Sequence, residues 1–182
     1  MAGRAATQRI GSAVNEAEQG TFSRIIAAMR RFADAIVPSA ATIAQREALA
    51  LRRACCGLLI EVARIDSEHF DRKREAVAQA LAETFAMQPG ESATLIAAVG
   101  GEANRYTSYY EPVALINKLW SPPQKARLVE QFWCVAMADG RLDMFEEHLV
   151  RILADLLYVA HADFILAKHR ALDRSRLAGA PA

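Results

Sequence analysis

The sequence predicts an all-α protein: a bundle of about seven or eight helices built around two related helical hairpins. Three observations carry that expectation. Apolar residues recur at helical spacing along most of the chain, and no run alternates with a period of two. Glycine (9) and proline (6) are scarce and 53% of the 182 residues are hydrophobic, which suits a helical globule with a sizeable core and argues against wholesale disorder. Finally, an acidic helix–turn–helix pattern occurs twice.

Residues 1–21 are polar and aperiodic, as in a mobile tail, and a single domain is expected over 22–172. Phe22 to Val37 reads as a basic amphipathic helix leading that domain. Phe22, Ile25, Ile26, Met29, Phe32 and Ile36 share one face, with Arg24, Arg30 and Arg31 off it. Such a helix suits docking onto its own domain or peripheral contact with a membrane surface. After Pro38-Ser39 comes a long helix, Thr42 to Ile65, in which Cys55 and Cys56 read as small core residues. A turn leads to a helix from Asp71 to Met87, and Gln88-Pro89-Gly90 reads as its stop. Glu91 to Val99 forms a short helix closed by Gly100-Gly101. Tyr106 to Leu119 forms another, with Tyr109, Val113, Ile116 and Leu119 inward. Ser121-Pro122-Pro123-Gln124 opens the next helix with a Ser cap, Pro in the first turn and Gln at the capping-box position. That helix runs to Asp139-Gly140, where glycine supplies the backbone freedom a helix end needs. Asp143 stands at the N-cap of the following helix and Glu146 completes its capping box, with Leu149, Ile152, Leu153, Leu156 and Leu157 on one apolar face. Asp163 to Ala171 is the last helix, and 173–182 reads as a tail.

The two acidic turns align once one extra residue is allowed in the first. Asp66 answers Asp139, Asp71 answers Asp143 and Glu75 answers Glu147. Val62-Ala63 matches Val135-Ala136 before the turn. Val77, Ala80, Leu81 and Phe85 match Leu149, Ile152, Leu153 and Leu157 after it.

The block Leu128-Val129-Glu130-Gln131-Phe132-Trp133-Cys134-Val135-Ala136-Met137-Ala138-Asp139-Gly140, continuing through Leu142-Asp143 and Glu146-Glu147-His148-Leu149-Val150-Arg151, resembles the TerB-like tellurite-resistance family. Leu58-Leu59-Ile60-Glu61-Val62-Ala63-Arg64-Ile65-Asp66 resembles that family's first repeat. The resemblance covers roughly residues 44–170. It implies an all-helical fold of two pseudo-symmetric halves, a cytoplasmic bacterial protein tied to stress resistance, and acidic residues that bind a divalent cation. A related domain stands at the front of a DnaJ-type co-chaperone, which implies a protein partner. The chain departs from the pattern at Ser67, where glycine is usual, and in its longer first turn.

The residues themselves leave two readings of the acidic turns open. Asp143 and Glu147, like Asp71 and Glu75, are four apart and share a helical face. With Asp139 and Asp66 at the turn ends, three carboxylates per half are able to converge, and Glu146 adjoins the second set. Oxygen-only ligation suits Ca²⁺ or Mg²⁺ better than Zn²⁺, although no EF-hand loop is present. Alternatively the acids are caps and surface charge, with Arg151 pairing Glu147, and Arg72, Lys73, Arg74 and Arg141 screening the cluster. Capping alone leaves one detail over: after Phe70 and Leu142 a hydrophobic staple wants an apolar fourth residue, and both copies carry glutamate there. If a metal binds, the second turn is the expected site, acting by itself, because its Asp-Gly hinge frees backbone carbonyls and fewer cations adjoin it.

Other function classes find less support. Lys+Arg (22) balance Asp+Glu (21), so no field gathers nucleic acid. No apolar run is long enough to span a bilayer and no signal peptide is evident, so a cytoplasmic location is expected. Three cysteines make no disulfide framework or CxxC motif. His148, His161 and His169 fall in no ligand pattern, and neither a nucleophile motif nor a phosphate loop is present, which leaves an enzyme the least supported class. The sequence thus favours a stress-response module that binds a divalent cation and signals to a protein partner, with a metal-free adaptor as the alternative.

Overall fold

The structure, a computed structural model, describes residues 26, 27, 29, 39–65, 70–102 and 109–179. Seven helices follow one another among them: α1 (Ala40–Arg64), α2 (Phe70–Phe85), α3 (Pro89–Glu102), α4 (Tyr110–Leu119), α5 (Pro122–Ala136), α6 (Met144–Leu156) and α7 (His161–Gly179). No strand occurs among the described residues, so the all-α expectation holds. Contacts divide the chain into Met1–Glu47 and Ala48–Ala182. In the first unit Ile26, Ala27 and Met29 are helical and exposed, and the Thr42 amide donates to Ser39 Oγ at 3.1 Å. The expected tail 1–21 and the rest of the amphipathic segment 22–37 lie outside the described residues.

The second unit is built on the two helices that precede the acidic turns. In α1 the run from Ala54 to Ile60 is buried on every side, as are Val62 and Ala63, so this half of the helix is interior rather than amphipathic. In α5 Leu128, Val129, Phe132, Trp133, Val135 and Ala136 are all fully buried. Around α5 stand α2, α6 and α7. The α2–α5 pair is antiparallel: Lys73 meets Asp139 just beyond the end of α5, while Glu83 meets Gln131 within it. Trp133 packs on Phe164 of α7 with ring centroids 5.5 Å apart, and Phe85 of α2 lies 5.8 Å from Trp120. On the other side Arg64 of α1 donates to the Gly100 carbonyl of α3 at 3.0 Å. Asn117 of α4 donates to the Leu156 carbonyl of α6 at 2.9 Å and accepts from Lys125 of α5 at 3.0 Å.

Several helix ends differ from expectation for local reasons. Pro89 opens α3 instead of stopping the chain before it, because proline in a first turn forfeits no helical hydrogen bond. The helix passes through Gly100-Gly101 to Glu102. At Ser121 the predicted capping box forms, with the Ser121 amide donating to Gln124 Oε1 at 2.9 Å. The last helix continues past Ala171 to Gly179, through the expected tail, because Arg174 anchors it to Glu83 and Glu130.

The apolar face predicted for α6 divides. Leu149, Leu153 and Leu157 are buried, but Ile152 and Leu156 face solvent at 36% and 41% exposure. Burial also differs between aligned positions of the two hairpins. Ala80, aligned with Ile152, is buried, and fully buried Lys73 aligns with Phe145, which is 65% exposed.

Candidate functional site

The second acidic turn forms because α5 has nowhere to continue. Its last carbonyls are taken by the Met137 amide, donating to Trp133 O at 3.0 Å, and the Gly140 amide, donating to Met137 O at 3.0 Å. Gly140 sits at φ +83°, a region that favours glycine, so the predicted hinge is real. Asp139 Oδ1 then accepts from the Arg141 amide at 2.9 Å and holds the turn. Asp143 caps α6, its Oδ1 accepting from the Phe145 amide at 2.6 Å, and Glu146 Oε2 accepts from the Asp143 amide at 3.1 Å. This is the capping box read from the sequence.

The remaining oxygens of Asp139 and Glu146 converge on a lysine. Asp139 Oδ2 and Glu146 Oε1 both face the ammonium of Lys73, which arrives from the first turn of α2; Asp139 lies 3.3 Å from it and Glu146 closer still. All three side chains are interior, at 3%, 1% and 0% exposure for Asp139, Glu146 and Lys73. Burial pulls the ammonium pKa down, but the Glu146 hydrogen bond and the two carboxylate charges outweigh it and hold Lys73 above its ordinary value. Glu147 points elsewhere: Oε2 lies 3.0 Å from Lys168 Nζ of α7 and Oε1 lies 3.4 Å from Arg151. Lys168 at the same time sits 4.6 Å above the Trp133 ring, and Arg151 lies 5.1 Å from the Phe164 ring.

The predicted site residues are therefore distributed as follows. Asp139 and Glu146 come together, on a lysine. Asp143 is committed to the helix end and Glu147 to α7. Glu75 is exposed on the wall of a cleft of about 890 Å³ between α2, α5 and α7, whose lining also includes Asp139 and Gly140. Asp71 lies in the first turn of α2, and Asp66 falls outside the described residues. Lys73 brings the first turn of α2 against the second acidic turn.

Lys73 is the residue whose role the sequence does not disclose: there it reads as one of four screening cations, with Arg72, Arg74 and Arg141. Its signal was positional: Lys73, Val77, Ala80 and Leu81 share a helical face, so this lysine occupies a core position, while Arg72 and Arg74 are exposed.

The family model for tellurite resistance protein TerB matches residues 52–169. The chain belongs to the TerB family. No curated protein matches it, and no solved structure does. In this TerB chain the matched span runs from α1 to α7 and contains the whole lysine-centred turn.

The divalent cation implied by the family resemblance finds a poor fit in these residues. Lys73 already stands between the two buried carboxylates, and a second cation beside it would be repelled in a medium of low dielectric constant. A Ca²⁺ ion wants six to eight oxygens, yet Asp143 and Glu147 are directed away from the Asp139–Glu146 pair. Among the described residues no group of three or more His, Cys, Asp or Glu side chains is arranged to hold a metal. No helix among them is long and apolar enough to cross a membrane.

Proposed function

We propose that this TerB-family chain is a metal-independent protein-interaction module of a cytoplasmic, tellurite-type stress response, and that it docks an amphipathic helix of a partner protein on the outer face of α6. One observation carries the reading. Met144 and Phe145 are 76% and 65% exposed, and Phe145, Ile152 and Leu156 recur at helical spacing along one solvent-facing stripe. Such a stripe suits the apolar face of a partner helix. Its upper end is mounted on a rigid base, because Met144 and Phe145 directly follow the N-cap fixed by Asp143, Glu146 and Lys73. A backbone fixed in this way, with the Phe145 amide bound to Asp143, loses little freedom on binding.

The test is a photoreactive amino acid placed at Phe145 in cells, with Thr94, on the exposed side of α3, as control. A discrete protein adduct at 145 and none at 94 is expected. The purified partner should bind equally well in chelator and in Ca²⁺, and more than roughly tenfold more weakly to Phe145→Glu. Absence of an adduct at 145, or binding that requires Ca²⁺, overturns the reading.

A further inference from the structure

We infer that the helix docked on the outer face of α6 is α6 of a second copy of this chain, laid antiparallel across a twofold axis beside Ile152. The inference rests on the docking reading above and names its partner. Besides Phe145, Ile152 and Leu156, the same side of α6 carries His148 and Asp155, both exposed. Their charged neighbours are already engaged: Glu147 with Lys168 of α7 and with Arg151, and Arg151 also with the Phe164 ring. The side chains of His148 and Asp155 have no hydrogen bond or ion pair among the described residues. They flank Ile152, four residues before it and three after. In an antiparallel pair about an axis at Ile152, the imidazole of each copy therefore comes opposite the carboxylate of the other. Ile152 then meets Ile152, and each Phe145 lies within a turn of the other copy's Leu156. An imidazole N–H donates to a carboxylate whether or not the ring is charged. A parallel pair instead sets His148 on His148 and Asp155 on Asp155, and like charges repel. The stripe is thus complementary to itself in one orientation only. The contact runs about 16 Å along each helix, short for a permanent dimer, so the paired copies exchange with free chain.

The experiment is sedimentation equilibrium of the full chain, from micromolar to submillimolar concentration, on wild type, His148→Glu, Asp155→Lys and His148→Glu/Asp155→Lys. Both positions are exposed, so each variant should stay folded, with thermal melting as the check. Wild type should pass from monomer to dimer as its concentration rises. His148→Glu sets two carboxylates opposite each other, and Asp155→Lys leaves two donors with no acceptor. Each single variant should raise the dimer dissociation constant by roughly tenfold or more. The double variant exchanges the charges and faces them again, so it should return to near the wild-type value. A wild type that stays monomeric throughout overturns the inference. So do single variants that dimerise as wild type does, or a double variant no tighter than the weaker single. The photoreactive residue at Phe145 separates this failure from failure of the docking reading. An adduct of twice the chain's mass supports the second copy. An adduct with a different protein alone overturns the second copy and leaves the docking face standing, and no adduct at all overturns both.

Discussion

Two charged clusters tie α2 to the region of α5, one at each end of the antiparallel pair, and they differ in burial. At the N-terminal end of α2, Lys73 is enclosed with Asp139 and Glu146, none more than 3% exposed. About 15 Å further along the helix, Glu83 receives hydrogen bonds from Gln79, Gln131 and Arg174 at 3.1, 3.1 and 2.8 Å, and Arg174 reaches on to Glu130 at 2.9 Å. There Glu83 and Arg174 are 39% and 51% exposed. Both clusters have short contacts and both cross between helices, but water stands beside only the second. When the second is broken, Glu83 and Arg174 can turn to solvent, while Glu130, 7% exposed, keeps Arg170 at 3.8 Å. The buried one cannot, so it fixes geometry as well as adding stability.

The widest separation between the two should come from removing one partner in each. Glu146→Ala leaves Lys73 charged in the core and breaks the α6 capping box, and urea unfolding should show a loss of about 3–5 kcal/mol. The companion Lys73→Met/Glu146→Met/Asp139→Asn should lose less than that, since no charge of the cluster is stranded. A loss under about 1 kcal/mol for Glu146→Ala would place the buried cluster in the same class as the exposed one.

Alkaline pH should distinguish them next. Lys73 is held above its ordinary value, so its contribution is complete below about 10.4 and fades only as pH rises through the higher folded value. Glu83 behaves in the opposite sense. Burial works to raise its pKa, but hydrogen bonds from Gln131, Gln79 and Arg174 bring it below the usual carboxylate range. Its contribution is present above about 4.3 and is lost as pH falls through the folded value. Melting followed from acid to alkali should therefore show the Arg174→Ala difference shrinking at low pH and the Lys73→Met difference shrinking at the alkaline end, as Lys73 loses its proton.

The smallest effect belongs to the exposed cluster. Arg174→Ala should cost about 1 kcal/mol, and most of that should vanish in roughly 1 M salt, where charges are screened beyond about 3 Å. A loss as large as that of Glu146→Ala, or one indifferent to salt, would mean that the exposed network is as closed to water as the buried one.

What the sequence disclosed and what it concealed follow the same division between local and distant. The helices from residue 40 onward, the Gly140 hinge, the Ser121–Gln124 box and the Asp143–Glu146 box rest on spacings of a few residues, and these are present. The Lys73–Glu146 pair joins positions 73 residues apart, and no pattern within one helix names the carboxylate a lysine will meet. Arg174 was hidden for the same reason: a polar stretch read as tail remains helical because it pairs with Glu83, 91 residues earlier. In α6 the apolar stripe was correctly located, but periodicity does not say how much of a stripe the core will accept. Leu149, Leu153 and Leu157 fill the interior, while Ile152 and Leu156 remain outside as part of the face assigned to a partner.

The central claim is that a lysine of the chain closes the acidic turn, and its side-chain amine reports on this directly. In a proton–nitrogen correlation spectrum of the full chain with ¹⁵N-labelled lysine, taken near neutral pH, exposed ammonium groups exchange with water and fade. A protected ammonium signal is expected that is absent from Lys73→Met and unmoved by millimolar Ca²⁺, distinct from that of Lys125, which is 7% exposed. A spectrum with no protected lysine, or one in which that signal disappears saturably as Ca²⁺ is added, would contradict it.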